Sequence, residues 1–181
     1  MNKKVLLIVA LISAVVGLGY LYQTVPQISE IRTVMMTGQG GEAIGEIKLS
    51  ETKSGVLFML NLKGLTPDGE HAIHVHETGK CQAPFKSAGG HYNPTDHAHG
   101  MKHPEGHHAG DMPNLKPEND GTIETQILNR KITLGRNMVG KRASVFDGDG
   151  SAIIIHAGAD DHMSQPSGAA GDRIACGVII K

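Results

Sequence analysis

From Ile31 onward, apolar and polar residues alternate in short runs broken by turn-forming residues, the period-two signature of half-buried strands. Residues 31–37, 43–49, 55–62 and 71–76 read as four strands. Between them, Glu51-Thr52-Lys53-Ser54-Gly55 and Thr66-Pro67-Asp68-Gly69 place Gly and Pro where a turn needs their backbone angles. Strands resume at 121–128, 143–146, 152–155 and 174–180, with Asp147-Gly148-Asp149-Gly150 as a tight turn. Eight short strands with turn-rich links predict an all-β antiparallel sandwich or barrel.

Two stretches escape this pattern. At the N-terminus, Lys3 and Lys4 precede an uncharged apolar run over residues 5–22. As a helix that run spans about 27 Å, marginal for a hydrocarbon core of about 30 Å. A cleaved signal peptide and an uncleaved signal-anchor helix both fit. The following Gly19-Tyr20-Leu21-Tyr22-Gln23-Thr24 offers no clean small-x-small cleavage site, which tilts the reading toward an anchor. Either way the domain is exported, and the chain divides into the segment 1–22, a linker at 23–30 and a domain at 31–181. The second stretch, 77–119, is polar and aperiodic. Loops beyond about 12–15 residues inside a compact domain are usually functional or disordered.

Composition adds little to the fold and more to the chemistry. The net charge of −1 removes any bulk electrostatic case for nucleic acid or an acidic membrane surface; membrane contact is expected only through the N-terminal segment. Two cysteines, Cys81 and Cys176, form an even count in a chain read as exported, which favours a disulfide over two buried thiols. Nine of the eleven histidines lie between His71 and His108, so a metal could order the loop where an apolar core cannot.

The spacing of those histidines is informative in parts. In His74-Val75-His76 both rings lie on one face of a strand and can reach one ion, although H-x-H alone is a weak signal. His91 sits in the turn Gly89-Gly90-His91-Tyr92-Asn93-Pro94, and His99, His108 and Asp111 follow. Imidazoles with one carboxylate make a closed four-ligand set suited to zinc. His156 ends the apolar run Ile153-Ile154-Ile155, a position that by itself is usually only a strand end.

Together, His74-Val75-His76-Glu77, the Gly-Gly-His91-Tyr-Asn-Pro turn, His108-Ala-Gly-Asp111 and Gly171-Asp172-Arg173-Ile174-Ala175-Cys176-Gly177-Val178 resemble the signatures of copper–zinc superoxide dismutases. The resemblance covers about residues 31–181 and is closest to bacterial exported members. It implies an eight-stranded Greek-key barrel with long metal-binding loops, acting on superoxide anion as an oxidoreductase. Copper would take His74, His76, His91 and His156. Zinc would take His91, His99, His108 and Asp111, with His91 bridging the ions and handling a proton during turnover. Asp160 matches the carboxylate linking a copper histidine to a zinc histidine, Cys81 and Cys176 match the intrasubunit disulfide, and Arg173 matches the arginine at the copper channel.

The remaining candidates carry plainer expectations. His97, His103 and His107 fall outside the matched spacing and read as solvated loop residues. His71 and His162 read as structural or exposed, and Met35, Met36 and Met59 as strand or surface packing rather than copper delivery. Met101 and Met112 stay undecided. The segment between His156 and Arg173 is shorter than in eukaryotic relatives and lacks their guiding charges, leaving Lys80, Lys86 and Lys102 as steering candidates. A bacterial-style homodimer and a monomer both stay open. The competing function is a non-catalytic relative that stores or delivers copper or zinc.

Overall fold

The computed structural model describes residues 30–67, 69–135, 139–140 and 142–180. The predicted N-terminal helix at 1–22 and all of the linker except Glu30 lie outside them. Among the described residues no helix is long and apolar enough to cross a membrane.

Among the described residues nine strands form: β1 (Ile31–Gly38), β2 (Ala43–Thr52), β3 (Gly55–Leu62), β4 (Ile73–His76), β5 (Ile123–Asn129), β6 (Ile132–Thr133), β7 (Ala143–Ser144), β8 (Ser151–His156) and β9 (Arg173–Ile179). Seven make one antiparallel sheet in the order β4-β8-β9-β1-β2-β3-β5, while β6 and β7 form a short parallel pair. The extra strand, β6, is two residues long and too short to leave a periodic trace. The expected strands at 71–76 and 143–146 both shorten, because His71 forms an isolated bridge with Leu115 and Val145 donates only to the Thr133 carbonyl, outside the main ladders.

Alternation explains why the sheet curls around one core. Val34 and Met36 of β1, Ile47 and Leu49 of β2, and Val56, Phe58, Leu60 and Leu62 of β3 are all buried. Ile73 and Val75 of β4 and Ile153 and Ile155 of β8 join the same cluster from the opposite edge. Each such side chain contributes about 1.5–3 kcal/mol by leaving water.

In β4 and β8 every residue is buried, so the hydrophobic-in, polar-out alternation fails there. One face carries Ile73, Val75, Ile153 and Ile155 into the core. The other carries His74, His76, Ala152, Ile154 and His156, and loops cover it. Pairing of β4 with β8 puts His74 opposite Ile154, and pairing of β8 with β9 puts Ile154 opposite Cys176.

The chain leaves β3, runs to β4 at the far edge, and returns to β5 beside β3. On the way back, the long connection zips onto the free edge of β4. Tyr92 N–H donates to the Val75 carbonyl at 2.8 Å, and Val75 N–H donates to the Gly110 carbonyl at 2.9 Å. Gly110 must be glycine because any Cβ would run into the Val75 carbonyl. A disulfide joins Cys81 to Cys176 with 5.7 Å between Cα atoms. Around it Phe85, Ala88, Ala152 and Ile154 make a second, smaller apolar cluster that pins the early part of the loop to β8 and β9.

Candidate metal centre

His74, His76 and His156 share the covered face of β4 and β8, and the loop adds His91 through a bridge to His76. In all four rings one nitrogen is buried without any hydrogen-bond partner: Nδ1 of His74 and Nε2 of His76, His91 and His156. Ligand atoms of these four residues lie within 4.8 Å of one another. In three of the rings the opposite nitrogen is held as a donor: His74 Nε2 donates to Asp160 Oδ2 at 3.0 Å, His76 Nδ1 to the Gly89 carbonyl at 3.0 Å, and His156 Nδ1 to the Gly171 carbonyl at 3.2 Å. A ring that donates from one nitrogen presents a lone pair at the other, so these hydrogen bonds choose the tautomer.

A second set stands beside the first. His91 Nδ1 and His99 Nδ1 lie 3.0 and 3.1 Å from Asp111 Oδ1. His108 Nδ1 is 3.2 Å from the same oxygen and 3.4 Å from His91 Nδ1. Four tetrahedral ligands on bonds of about 2.0–2.1 Å would stand about 3.3 Å apart, so the spacing suits a small divalent ion. The carboxylate cannot turn away, because Asp111 Oδ2 accepts from the backbone N–H of Gly100 at 2.9 Å and of His108 at 3.1 Å. His91 belongs to both sets, offering Nε2 to one and Nδ1 to the other.

Asp160 ties the two together. Its Oδ2 accepts from His74 and its Oδ1 accepts from His99 Nε2 at 2.9 Å. At Gly168 the backbone folds so close over this contact that a Cβ would strike Asp160 and His99, and its φ of +68° also favours glycine.

Electrostatics prepare the first set for a cation. Burial pulls His74 down to about 3 and His156 to about 4, and it lowers His76 and His91 as well. These rings are therefore neutral at ordinary pH, with lone pairs available. Burial also pulls on His99, but its hydrogen bonds to the Asp111 and Asp160 carboxylates outweigh it and raise the ring to about 9. The same contacts with histidines hold Asp111 and Asp160 below the usual carboxylate range against the effect of their burial.

Arg173 opens β9 beside His156. Its Nη1 donates to the Phe85 carbonyl and its Nη2 to the Gly89 carbonyl, both at 2.7 Å. The guanidinium lines an open cavity of about 540 Å³ with His91, His156 and Glu77. Two rings of the first set, His91 and His156, thus border this open cavity.

The profile of the copper/zinc superoxide dismutase (SODC) family matches residues 43–179. The chain belongs to that family. It is 52% identical over 140 residues to "Superoxide dismutase [Cu-Zn] 2" of Aquifex aeolicus, covering 77% of this chain and 80% of that one. A Caulobacter vibrioides superoxide dismutase [Cu-Zn] is 44% identical over 148 residues, 81% of this chain and 83% of that protein. The crystal structure of a double mutant of a SOD-like protein from Bacillus subtilis superposes with a TM-score of 0.78 at 38% identity, covering 82% and 97% of the two chains.

For a copper/zinc superoxide dismutase, the two sets and the orphaned nitrogens are a fitting donor chemistry: imidazole for copper, imidazoles with a carboxylate for zinc. The structure brings His74, His76, His91, His99, His108, His156, Asp111 and Asp160 together here, with Arg173 beside them and the Cys81–Cys176 bond apart. The bystanders sort differently. His97 is exposed, and Met112 is a core residue. His107, expected in solvent, is half-buried with Nδ1 donating to the His108 carbonyl at 2.8 Å; the tight turn into Ala109 folds its ring back onto the loop. His71 is buried and donates from Nδ1 to the His156 carbonyl at 2.8 Å. Lys86 is exposed and shares a cavity with Arg173.

Two amides at the site have no sequence signature. Gln165 clamps the backbone of His99, accepting from its N–H and donating to its carbonyl, each at 2.9 Å. Asn114 does the same for Asp160, also at 2.9 Å. Each is recognisable only once its partner lies opposite.

Proposed function

We propose that the protein dismutates superoxide with copper held by His74, His76, His91 and His156 and zinc held by His91, His99, His108 and Asp111. The observation carrying this reading is the convergence of four buried, partnerless ring nitrogens beside a histidine-carboxylate set that shares His91. Copper bound there supplies one-electron redox chemistry, by which two superoxide anions and two protons become one dioxygen and one hydrogen peroxide, while zinc has no redox role.

The chain's own groups bind the anion and manage the protons. Arg173 keeps a permanent charge. Its two carbonyl contacts aim the guanidinium into the cavity and leave N–H donors for an anion held near His156. His91 can hold a proton at Nε2 whenever that nitrogen is not a ligand, and its burial beside the cavity places that proton next to the anion. His74 and His99 stay oriented throughout because Asp160 holds both.

The same reading places the domain outside the cytoplasm. Lys3 and Lys4 ahead of an apolar run, together with the formed disulfide, support export to an oxidising compartment, the periplasm or the outer face of a bacterial cytoplasmic membrane. Nothing favours the storage or delivery alternative, since the first set and Arg173 are complete. The test is inhibition of superoxide-driven cytochrome reduction by the purified full-length chain, with zinc alone and with zinc plus copper. Activity that appears only with copper supports the proposal; background activity in fully loaded protein refutes it.

A further inference from the structure

We infer that Asn129, the last residue of β5, and Lys131, on the turn that follows it, are positioning residues that grip the carbonyls of the two residues flanking His108 and so hold the loop-borne cluster in register. This rests on the assignment of zinc to that cluster.

His108 lies in a stretch whose neighbours have few ladder partners, so something else must fix its peptide groups. Three consecutive carbonyls there are each capped by a side chain. Lys131 Nζ donates to the His107 carbonyl at 2.8 Å, and Asn129 Nδ2 donates to the Ala109 carbonyl at 2.8 Å. Between them His107 Nδ1 caps the His108 carbonyl at 2.8 Å.

Both gripping residues are themselves immobilised. Asn129 is buried at 5% exposure, and its Oδ1 accepts the Lys131 N–H at 2.9 Å, so its amide can face only one way. The Lys131 carbonyl accepts from Ala143 N–H at 2.9 Å, which ties the turn to β7. The half-buried ammonium donates to one loop carbonyl rather than extending into water, and the nearby Asp111 carboxylate only partly counters the effect of its burial. The rigidity of the barrel is thereby carried to His108, and through the His108 N–H to Asp111 Oδ2. Neither residue hydrogen-bonds to β4 or β8, so the strand-borne ligands should not feel their loss.

The test uses full-length protein loaded with both metals, challenged with a zinc chelator and followed by elemental analysis. Lys131→Met is expected to release zinc about 10- to 100-fold faster than wild type, the usual cost of losing a partner behind a ligand. Copper content and the Tm of the metal-stripped protein should stay at wild-type values, Lys131→Arg should restore slow release, and Asn129→Ala should repeat the zinc-selective loss. Zinc release at the wild-type rate from Lys131→Met overturns the inference. So does an equal loss of both metals with a matching fall in the metal-stripped Tm, which would mark a merely structural role. Wild-type protein that holds no zinc would take down the functional reading together with this one, whereas zinc-tight wild type beside zinc-tight Lys131→Met removes this one alone.

Discussion

The two ligand clusters sit side by side and share a ring, yet they are built by different means. His74, His76 and His156 stand on β4 and β8, where an antiparallel ladder sets their spacing. His99, His108 and Asp111 stand on a loop, where side chains such as Gln165, Asp160, Lys131 and Asn129 stand in for a ladder. A strand repeats its geometry from residue to residue, so ligands on it are pre-organised before any ion arrives. A loop held by individual hydrogen bonds keeps its shape only while each contact survives, and a bound ion supplies much of the remaining order.

The largest expected effect tests the strand side. His156→Ala should lower activity by more than about 100-fold, beyond the cost of losing a partner behind a ligand, while zinc stays bound; the cytochrome assay with metal analysis reads both. Retained copper and activity would break the assignment. Next comes the link between clusters. Asp160→Ala frees His74 Nε2 and His99 Nε2 at once, and should weaken both metals by roughly 10- to 100-fold in competition with chelators. A loss confined to one metal would show that Asp160 serves only one side.

Arg173→Ala should leave both metals in place and reduce activity by about 10-fold or more, in line with one charged hydrogen bond of about 1.5–3 kcal/mol. Full activity with both metals bound would remove the guanidinium from anion binding. The smallest effect sharpens the comparison directly. Stripping both metals should raise hydrogen exchange at residues 97–108 while β4 and β8 stay protected. Equal deprotection of strands and loop would erase the distinction between them.

Much of this was legible in the chain. Strand positions such as 55–62 showed themselves through alternation, and the His74-Val75-His76 pair through the two-residue repeat of a strand. The resemblance supplied the remaining ligands in order. What stayed hidden depends on contacts with no periodicity: β6 is only two residues, His107 folds back onto its own loop, and Asn129, Lys131, Asn114 and Gln165 act through side-chain contacts across 20 to 66 positions.

Residue type and spacing determined the β class and singled out the His74-Val75-His76 pair, the histidine-rich loop and an even count of cysteines, because alternation and metal-donor chemistry are local properties of the chain; the complete ligand sets came only with the family resemblance. Which nitrogen of each ring faces the cluster, and what holds it there, was decided only when the loop closed over β4 and β8. Tautomer and orientation follow from carbonyls and carboxylates far away in sequence, and those become neighbours only in the folded molecule.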